Sequence, residues 1–474
     1  MALQLIAILG YSAALVTLGL WVGRRVEKAS TFFVADRRLG PWLVFSTMLA
    51  ANIGAGSIIG ASGLGYAAGW AAWWWVGSAG VGSLLLALWI GPRIWRVASR
   101  NGLYTAGDYL ELRYGSAVRA TVATVLWFLT LVILAAQLIA MSEIFEWVLG
   151  VPRWVGAVLG GAVMTAYFAA GGLLTAAWVN AVQLVILLGG FAVGVPIALG
   201  RAGGWQTVLA AAPEQSLETF LFAPGAGVVL VALLVPAFIV SPGLLQKAYG
   251  ARDERAVRLG VAANGVVLLL FALVPPLLGM IAHVYDPALE NAEFAVPLVL
   301  TEGLPPLLGA LGLAAVFSAE VSTADAILFM LATSLSKDIY KRYWAPAADD
   351  VRVLRVARLA ALAGGALAVA LAVVIPTVID SLRVFYAILG VSLFVPIAAG
   401  LHTRRPGVPE ALAAIGAGIA ALLAMQLSEL GGGSLLLDPT VVGIAASGVA
   451  FTAVFWARSL RGGVGGAGKP APLE

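Results

Sequence analysis

Two stretches of the chain place small polar residues among apolar ones in patterns that can hold a small ion or solute. The first, residues 45–60, contains Asn52, Gly54, Gly56 and Ser57. Glycine in a helix interior costs about 1 kcal/mol relative to alanine, and unwound backbone in an apolar surround is tolerated only where it lines a cavity. Freed carbonyls there can coordinate a cation, and the next helix N-terminus favours an anion. Close helix packing through small residues is the alternative of equal weight.

The second stretch, residues 314–326, carries two hydroxyl side chains on one helix face. Ser322 and Thr323 follow Ala319 at spacings of three and four, which places all three on the same side of a helix. One backbone carbonyl and two hydroxyls suit a hard cation such as sodium, because such ions prefer oxygen ligands. The pattern indicates half of a cation site.

Two acids, Glu320 and Asp325, lie in the same stretch and project elsewhere around the helix. An ionisable group inside an apolar span is a functional candidate by default. Interhelical hydrogen bonding, or a gate pair on the cytoplasmic side, is the favoured interpretation of these acids. A proton-carrying role is the alternative. Asn180 is grouped with the two acids as a polar residue with a gating or structural role.

Bond-making chemistry has little support in the composition. The chain has no cysteine and two histidines far apart, His283 and His402, so it lacks thiolate and HExxH metal sites. No nucleophile–base set is evident. These absences predict a protein that is not an enzyme and carries no organic cofactor, and the loop-confined basic residues predict no nucleic-acid partner.

The elements that position these residues must be membrane-spanning helices. Of the 474 residues, 61% are hydrophobic and 11% charged, whereas soluble domains carry about 25% charged residues. A span needs about 20 apolar residues. Such stretches number thirteen and cover approximately 3–23, 41–67, 70–92, 118–145, 154–173, 176–199, 225–247, 258–284, 305–335, 353–375, 378–401, 409–429 and 438–459.

The basic residues give the orientation. With the N-terminus outside, 25 of the 28 Lys and Arg fall in cytoplasmic segments, and only Arg153, Arg201 and Arg383 lie outside. An excess of Lys and Arg marks cytoplasmic loops, so we expect the N-terminus out and the C-terminus in. Spans 2–6 and 7–11 form two groups of five, and because five is odd, the second group is inverted. The expected organisation is a first helix and cytoplasmic loop in 1–40, a first repeat in 41–200, a second in 201–405, two further helices in 406–461 and a disordered tail in 462–474.

Several motifs resemble the sodium:solute symporter family. They are Ser322-Thr-Ala-Asp325 followed by Ser336-Lys-Asp-Ile-Tyr-Lys341, Ala50-Ala-Asn-Ile53, Gly171-Gly-Leu173 with Trp178 and Gln183, and Gln246-Lys247. The resemblance covers about residues 3–405. It implies a LeuT-like fold of two inverted five-helix repeats formed by helices 2–11. It further implies one sodium bound by the carbonyls of Ala50, Ile53 and Ala319 and the hydroxyls of Ser322 and Thr323.

This chain departs from the family patterns at two places that bear on the number of sodium ions and on the substrate. Members with a second sodium site carry an aspartate in a Trp-Thr-Asp motif, where this chain has Trp178-Val179-Asn180. We therefore expect one sodium per cycle. Proline-type members carry an acid at the position of Asn52. Sugar-type members carry an aromatic gate that corresponds here to Ala237, with Phe238 adjacent. The chain therefore has neither the proline-type acid nor the sugar-type aromatic gate.

The solute site is expected at the midplane between the two interrupted helices. Its candidate residues are Asn52, Gly54, Gly56, Ser57, Gln137, Phe238, Ser241, Pro242, Tyr386 and Ser392. Gln137 fits interhelical hydrogen bonding equally well. The run Trp73-Trp74-Trp75 is assigned to the aromatic belt at the outer interface.

These features predict a symporter that couples inward sodium flux to uptake of a small organic solute in the plasma membrane, as a monomer. Two alternatives stay open. One is proton coupling through Glu320 or Asp325. The other is a sensory membrane module, disfavoured because no cytoplasmic domain is expected after residue 460.

Overall fold

The computed structural model describes residues 2–23, 34–169, 173–213, 216–222, 227–403, 405–428 and 437–460. Regular structure in these ranges is helical, apart from one isolated bridge between Leu39 and Ala251. The all-helical prediction is confirmed at this level. The tail expected to be disordered, 462–474, lies outside the described residues.

Among the described residues, nine helices lie before residue 202. They are α1 (Ala2–Gly23), α2 (Pro41–Asn52), α3 (Ala61–Ala68), α4 (Trp73–Leu85), α5 (Gly91–Asn101), α6 (Ala106–Tyr114), α7 (Ser116–Leu149), α8 (Arg153–Ala169) and α9 (Leu173–Arg201). Short wide turns of π type at Gly56–Gly60 and Leu86–Ile90 lead into α3 and α5. Gly69 has a φ of +56° and reverses the chain between α3 and α4.

Twelve helices follow among the described residues. They are α10 (Trp205–Ala211), α11 (Leu217–Phe222), α12 (Val229–Val240), α13 (Pro242–Tyr249), α14 (Glu254–Phe271), α15 (Val274–Tyr285), α16 (Ala295–Glu302), α17 (Pro306–Thr333), α18 (Asp350–Val374), α19 (Val378–His402), α20 (Val408–Leu427) and α21 (Pro439–Leu460). A π-helical segment, Ser334–Trp344, extends α17.

In the described part of the chain, ten helical segments are long and apolar enough to cross a membrane. Spans predicted at 3–23, 41–67 and 154–173 are not among them. Helix α1 covers the first, α8 ends at Ala169 within the third, and the second is interrupted at Ile53. The count of thirteen therefore stays a prediction.

Two helices break in mid-span, and their breaks lie in the two predicted repeats. α2 ends at Asn52 because Ile53 is extended, with φ −100° and ψ 99°. The second break lies between α12 and α13. There Ser241 has a ψ of 118°, and Pro242 has no N–H with which to continue the helical hydrogen bonds. α2 packs against α9 and α14, while α12 packs against α4 and α19. These neighbours hold the broken helices in place.

One arginine joins α6, α7 and the extension of α17. Arg119 lies 2.8 Å from Asp108, 2.6 Å from Glu111 and 2.6 Å from Asp338 (nitrogen to oxygen), and its side chain is 8% exposed. Thr105 caps α6 and also donates to Asp338 at 2.8 Å. A single guanidinium thus contacts three carboxylates in a largely dry site, and Arg342 also pairs with Glu111.

Replacing Arg119 by alanine should destabilise the fold by about 3–5 kcal/mol, because it removes the ion-pair partner of the buried Asp338 carboxylate. The loss of stability is measured as a lower melting temperature in thermal unfolding of the purified protein. Arg96→Ala is the control, since Arg96 is half exposed in its pair with Glu254 and such pairs contribute about 0–1 kcal/mol. Equal melting temperatures for the two variants would contradict the prediction.

Candidate functional site

Five oxygens from the break in α2 and the middle of α17 converge on one point; we call them the five-oxygen cluster. The Thr323 hydroxyl oxygen lies 3.0 Å from the carbonyl oxygen of Ala50, 3.1 Å from that of Ile53 and 3.0 Å from that of Ala319. The Ser322 hydroxyl lies 3.0 Å from the Ala319 carbonyl and 3.4 Å from that of Ala50. All five predicted ligand atoms are brought together.

The cluster has more acceptors than protons. The Thr323 hydroxyl carries one hydrogen, yet three carbonyls surround it at hydrogen-bond distance. Carbonyls left over at the end of α2 have no helical partner. A cation at the centre would satisfy every oxygen at once, after the two hydroxyls turn their hydrogens away. This donor set fits a hard monovalent cation such as sodium.

Gly54 allows α2 and α17 to approach each other here. A Cβ atom built on Gly54 would overlap the Thr323 hydroxyl and would lie 3.0 Å from Oε1 of Gln137. Gln137, on α7, accepts a hydrogen bond from the backbone N–H of Ala55 at 3.2 Å. The unwound segment is therefore fixed from two sides.

A small cavity adjoins the five-oxygen cluster and shares Thr323 with it. Its volume is about 50 Å³, room for only a few water molecules, so the lining helices must separate to admit a solute. Seven of the predicted solute residues line it: Asn52, Gly54, Gly56, Ser57, Gln137, Phe238 and Tyr386.

Three predicted solute residues do not line this cavity. Ser392 turns its hydroxyl back to the Ile388 carbonyl of its own helix at 2.6 Å. Ser241 and Pro242 form the break after α12, a full turn beyond Phe238. Their assignment to the solute site stays a prediction, since the rotation of a helix decides which polar residues reach the cavity.

Trp75 lines the cavity, contrary to its assignment to the aromatic belt. It is 4% exposed, and its ring centroid lies 6.4 Å from that of Tyr386. Tyr386 in turn packs against Phe238 at 5.3 Å between centroids. Successive helix residues point about 100° apart, so three consecutive tryptophans cannot all face lipid. The consecutive positions of the three tryptophans therefore indicate that at least one of them points into the protein.

Two consecutive side-chain hydrogen bonds connect Asn52 with two further helices. The Asn52 amide donates to Asn264 of α14 at 3.2 Å, and Asn264 donates to Ser83 of α4 at 3.0 Å. Asn264 is fully buried. Sequence reasoning missed it, since nothing in its local pattern distinguishes it from a packing residue.

The two acids of α17 face different neighbours and do not pair with each other. Glu320 is fully buried near the backbone of Ala55. Asp325 is buried and interacts electrostatically with Lys247, at the end of α13. Asn180 on α9 is buried as well. The gating or structural role of these three residues stays a prediction.

Glu293 holds the N-terminus of α19 close to the cavity-lining residues of that helix. Its Oε1 accepts from the Val378 N–H at 2.8 Å. Burial raises the pKa of Glu293 to about 7, although the hydrogen bond from Val378 and the charge of Arg153 oppose the rise. Neighbouring Glu143 accepts from Asn291 at 3.0 Å.

The Glu293 pKa predicts a pH-dependent stability. Because the folded-state pKa of about 7 exceeds the ordinary 4.5, the stabilising contribution is complete below the ordinary value and is lost as the pH rises through about 7. The melting temperature should therefore fall over roughly pH 5 to 8. Glu293→Gln, which keeps the acceptor for Val378, should flatten this profile. Glu290→Gln, at an exposed position of the same loop, should leave it unchanged, and a steep profile in the Glu293 variant would refute the assignment.

Among the described residues, the interrupted helices α2 and α12 lie beside a polar cavity, an arrangement common in secondary transporters. Residues 32–418 match the sequence model of the sodium:solute symporter family. The chain belongs to the sodium:solute symporter family, whose members are secondary transporters and not enzymes.

Individual proteins agree with this assignment. The chain is 27% identical over 395 residues to a sodium/glucose cotransporter of Vibrio parahaemolyticus, covering 74% of this chain and 71% of that protein. It is 26% identical over 431 residues to a sodium/pantothenate symporter of Escherichia coli (strain K12), covering 84% and 86%. A solved Na⁺-coupled sialic acid symporter in a substrate-bound outward-open state superposes with a TM-score of 0.81 at 18% identity, covering 96% and 97%. That likeness shows a LeuT-like fold.

Proposed function

We propose that this chain couples the inward movement of one sodium ion to the uptake of a small organic solute by alternating access. The observation that carries the proposal is the five-oxygen cluster, in which three carbonyls surround one hydroxyl hydrogen. Family membership supports sodium coupling in general. A neutral Asn180, where members with a second sodium site carry an acid, supports a single ion.

Sodium and solute are coupled through shared residues. Sodium bound between α2 and α17 would fix the carbonyls of Ala50 and Ile53 and thereby the unwound segment that begins at Ile53. The solute cavity is lined by the same segment and by Thr323. Each ligand thus prepares the site of the other, and couplings between two such sites amount to about 1–3 kcal/mol. One charge crossing 100 mV supplies about 2.3 kcal/mol.

The cavity lining favours a small solute without net charge, or a zwitterion. Three aromatic rings and two amide side chains line it, and no charged side chain of the described residues does. A buried unpaired charge is costly, so an ionic group of the solute would need the backbone amides of the unwound segment. The relatives named for glucose and for pantothenate differ in solute, and the cavity of this chain must therefore be tested directly.

The proposed topology has thirteen spans, with the N-terminus outside and the C-terminus in the cytoplasm of a plasma-membrane monomer. The 46-residue helical run Gly56–Asn101 supports it. At 1.5 Å per residue such a run is about twice the bilayer thickness. The reversal at Gly69 separates the end of one crossing, which begins in α2, from a second crossing formed by α4 and α5. The repeats would be 41–200 and 201–405.

Proton coupling is the second candidate, because Glu320 and Asp325 are buried in the helix that carries the cation ligands. A thermal-shift screen of the purified protein against metabolites, with and without sodium, identifies the solute. Uptake of that solute into proteoliposomes then separates the candidates. Uptake driven by a sodium gradient at equal pH on both sides supports the proposal, and uptake driven by a pH gradient in sodium-free buffer overturns it.

A further inference from the structure

An apolar groove runs along α9 where this helix meets α15, α16 and α17. Its volume is about 290 Å³, and its lining consists of aliphatic side chains, Phe191 and glycines. An apolar cavity of about 150 Å³ stays dry and takes an apolar guest. The groove therefore suits an apolar occupant considerably larger than such a guest.

The groove exists because glycines of α9 leave the space beside the helix unfilled. Gly190 and Gly194 lie four residues apart, on one face of the helix. A Cβ atom built on Gly190 meets nothing within 4 Å, and one built on Gly194 lies 3.5 Å from Leu304, an ordinary van der Waals distance. The neighbouring side chains of Val185 and Val193 are 60% and 56% exposed, so in a membrane this side of α9 faces hydrocarbon. Lipid therefore reaches the groove directly.

The groove has the length of one lipid leaflet. Its lining on α9 extends from Ile186 to Ala198, which is about 18 Å at 1.5 Å per residue. Half of the bilayer hydrocarbon core is about 15 Å. A volume of about 290 Å³ over this length accommodates an extended hydrocarbon chain but not a helix about 10 Å wide.

Charged residues of both signs stand at one end of the groove. Arg201 ends α9 three residues after Ala198, and Glu302 ends α16, which also lines the groove. Both side chains are exposed, and both interact electrostatically with Tyr285 at the end of α15. A phosphate group beside Arg201 and an ammonium group beside Glu302 would complement these charges, because a guanidinium and a phosphate form strong charge-assisted hydrogen bonds.

We propose that this groove binds a zwitterionic phospholipid, with one acyl chain between α9 and α17 and the head group at Arg201 and Glu302. The inner end of the groove adjoins a second, very small cavity beside the five-oxygen cluster, because Leu187 and Ala315 line both. The acyl chain thus packs against the apolar wall that separates the cluster from the membrane. Phospholipid binding here requires neither a particular ion nor a particular solute.

The test is native mass spectrometry of the purified full-length protein, delipidated in detergent and titrated with palmitoyl-oleoyl phosphatidylethanolamine. We expect the wild type to bind one phospholipid in this groove. Gly190→Leu fills the groove from a position whose Cβ meets no protein atom, and it should raise the half-saturating phospholipid concentration about tenfold or more. Gly200→Leu, at an exposed position of the same helix with nothing within 4 Å, is the matched control and should stay within about twofold of the wild type.

A second variant separates the head-group contact from the chain contact. Arg201→Gln should weaken binding of the phospholipid about tenfold. It should leave binding of palmitoyl-oleoyl glycerol, which has no phosphate, within about twofold of the wild type. An Arg201 variant that weakens neither lipid, or both equally, overturns the inference.

Three further results would also overturn it. One is equal phospholipid binding by the wild type and the Gly190 variant. Another is a detergent molecule that occupies the groove as strongly as the phospholipid, which would be an adventitious additive only. The third is a protein dimer in lipid-free detergent that Gly190→Leu dissociates, since the groove would then bind a second copy of the chain. Equal melting temperatures of the two leucine variants in lipid-free detergent exclude misfolding as the cause of weaker binding.

Discussion

Replacing Ser322 and Thr323 together by alanine should raise the sodium concentration that half-saturates solute uptake by about a hundredfold or more. Two of the five cluster oxygens disappear, and each tenfold loss of affinity is about 1.4 kcal/mol. Thr323 should contribute more than Ser322, because its hydroxyl lies within 3.1 Å of three carbonyls. The measurement is the sodium dependence of uptake in proteoliposomes at saturating solute.

Two comparisons make this result specific. Thr323→Ser keeps the hydroxyl and should retain most of the sodium affinity, whereas Thr323→Val keeps the shape and should not. Ser392→Ala removes a buried hydroxyl that bonds within α19 and should change the half-saturating sodium by less than about twofold. An unchanged sodium dependence in the double variant would remove the five-oxygen cluster from consideration as the ion site.

The half of the proposed cation site on α17 could be predicted because its spacing is local. Ala319, Ser322 and Thr323 share a face in any helix, and the structure places their oxygens together. The contributions of Ala50 and Ile53 came from family resemblance. Backbone carbonyls look alike in a sequence, so only the fold shows which ones are freed by the break after Asn52.

The rotation of each helix about its axis and the contacts between distant residues could not be predicted from the sequence. Ser392 is in a cavity-lining helix but faces its own backbone, whereas Trp75 points inward from a run that looks like an interfacial belt. Asn264 and Gln183 bond to partners 181 and 135 residues away. Such side chains are distinguished only when several helices pack around them, since a single polar residue in a span also serves as interhelical glue.

A second large effect is expected at Gly54, which has no polar side chain of its own. Its φ lies outside the left-handed region, so alanine is compatible with the backbone and any effect must be steric. The added methyl group would overlap the Thr323 hydroxyl and would press on Gln137 at 3.0 Å. Overpacking of this kind costs about 1–3 kcal/mol, and here the strain falls directly on a cation ligand.

Gly54→Ala should therefore abolish sodium-dependent thermal stabilisation and lower uptake at least about tenfold, since one ligand displaced from the ion corresponds to about 1.4 kcal/mol. Gly416→Ala, in α20 with nothing within 4 Å of the new methyl, should behave as the wild type in both assays. A Gly54 variant that retains sodium-dependent stabilisation would show that α2 and α17 need not approach this closely to bind the ion. If stabilisation is lost while the melting temperature in sodium-free buffer is nearly preserved, the glycine serves the ion site and not general helix packing, which is the alternative that the sequence left open.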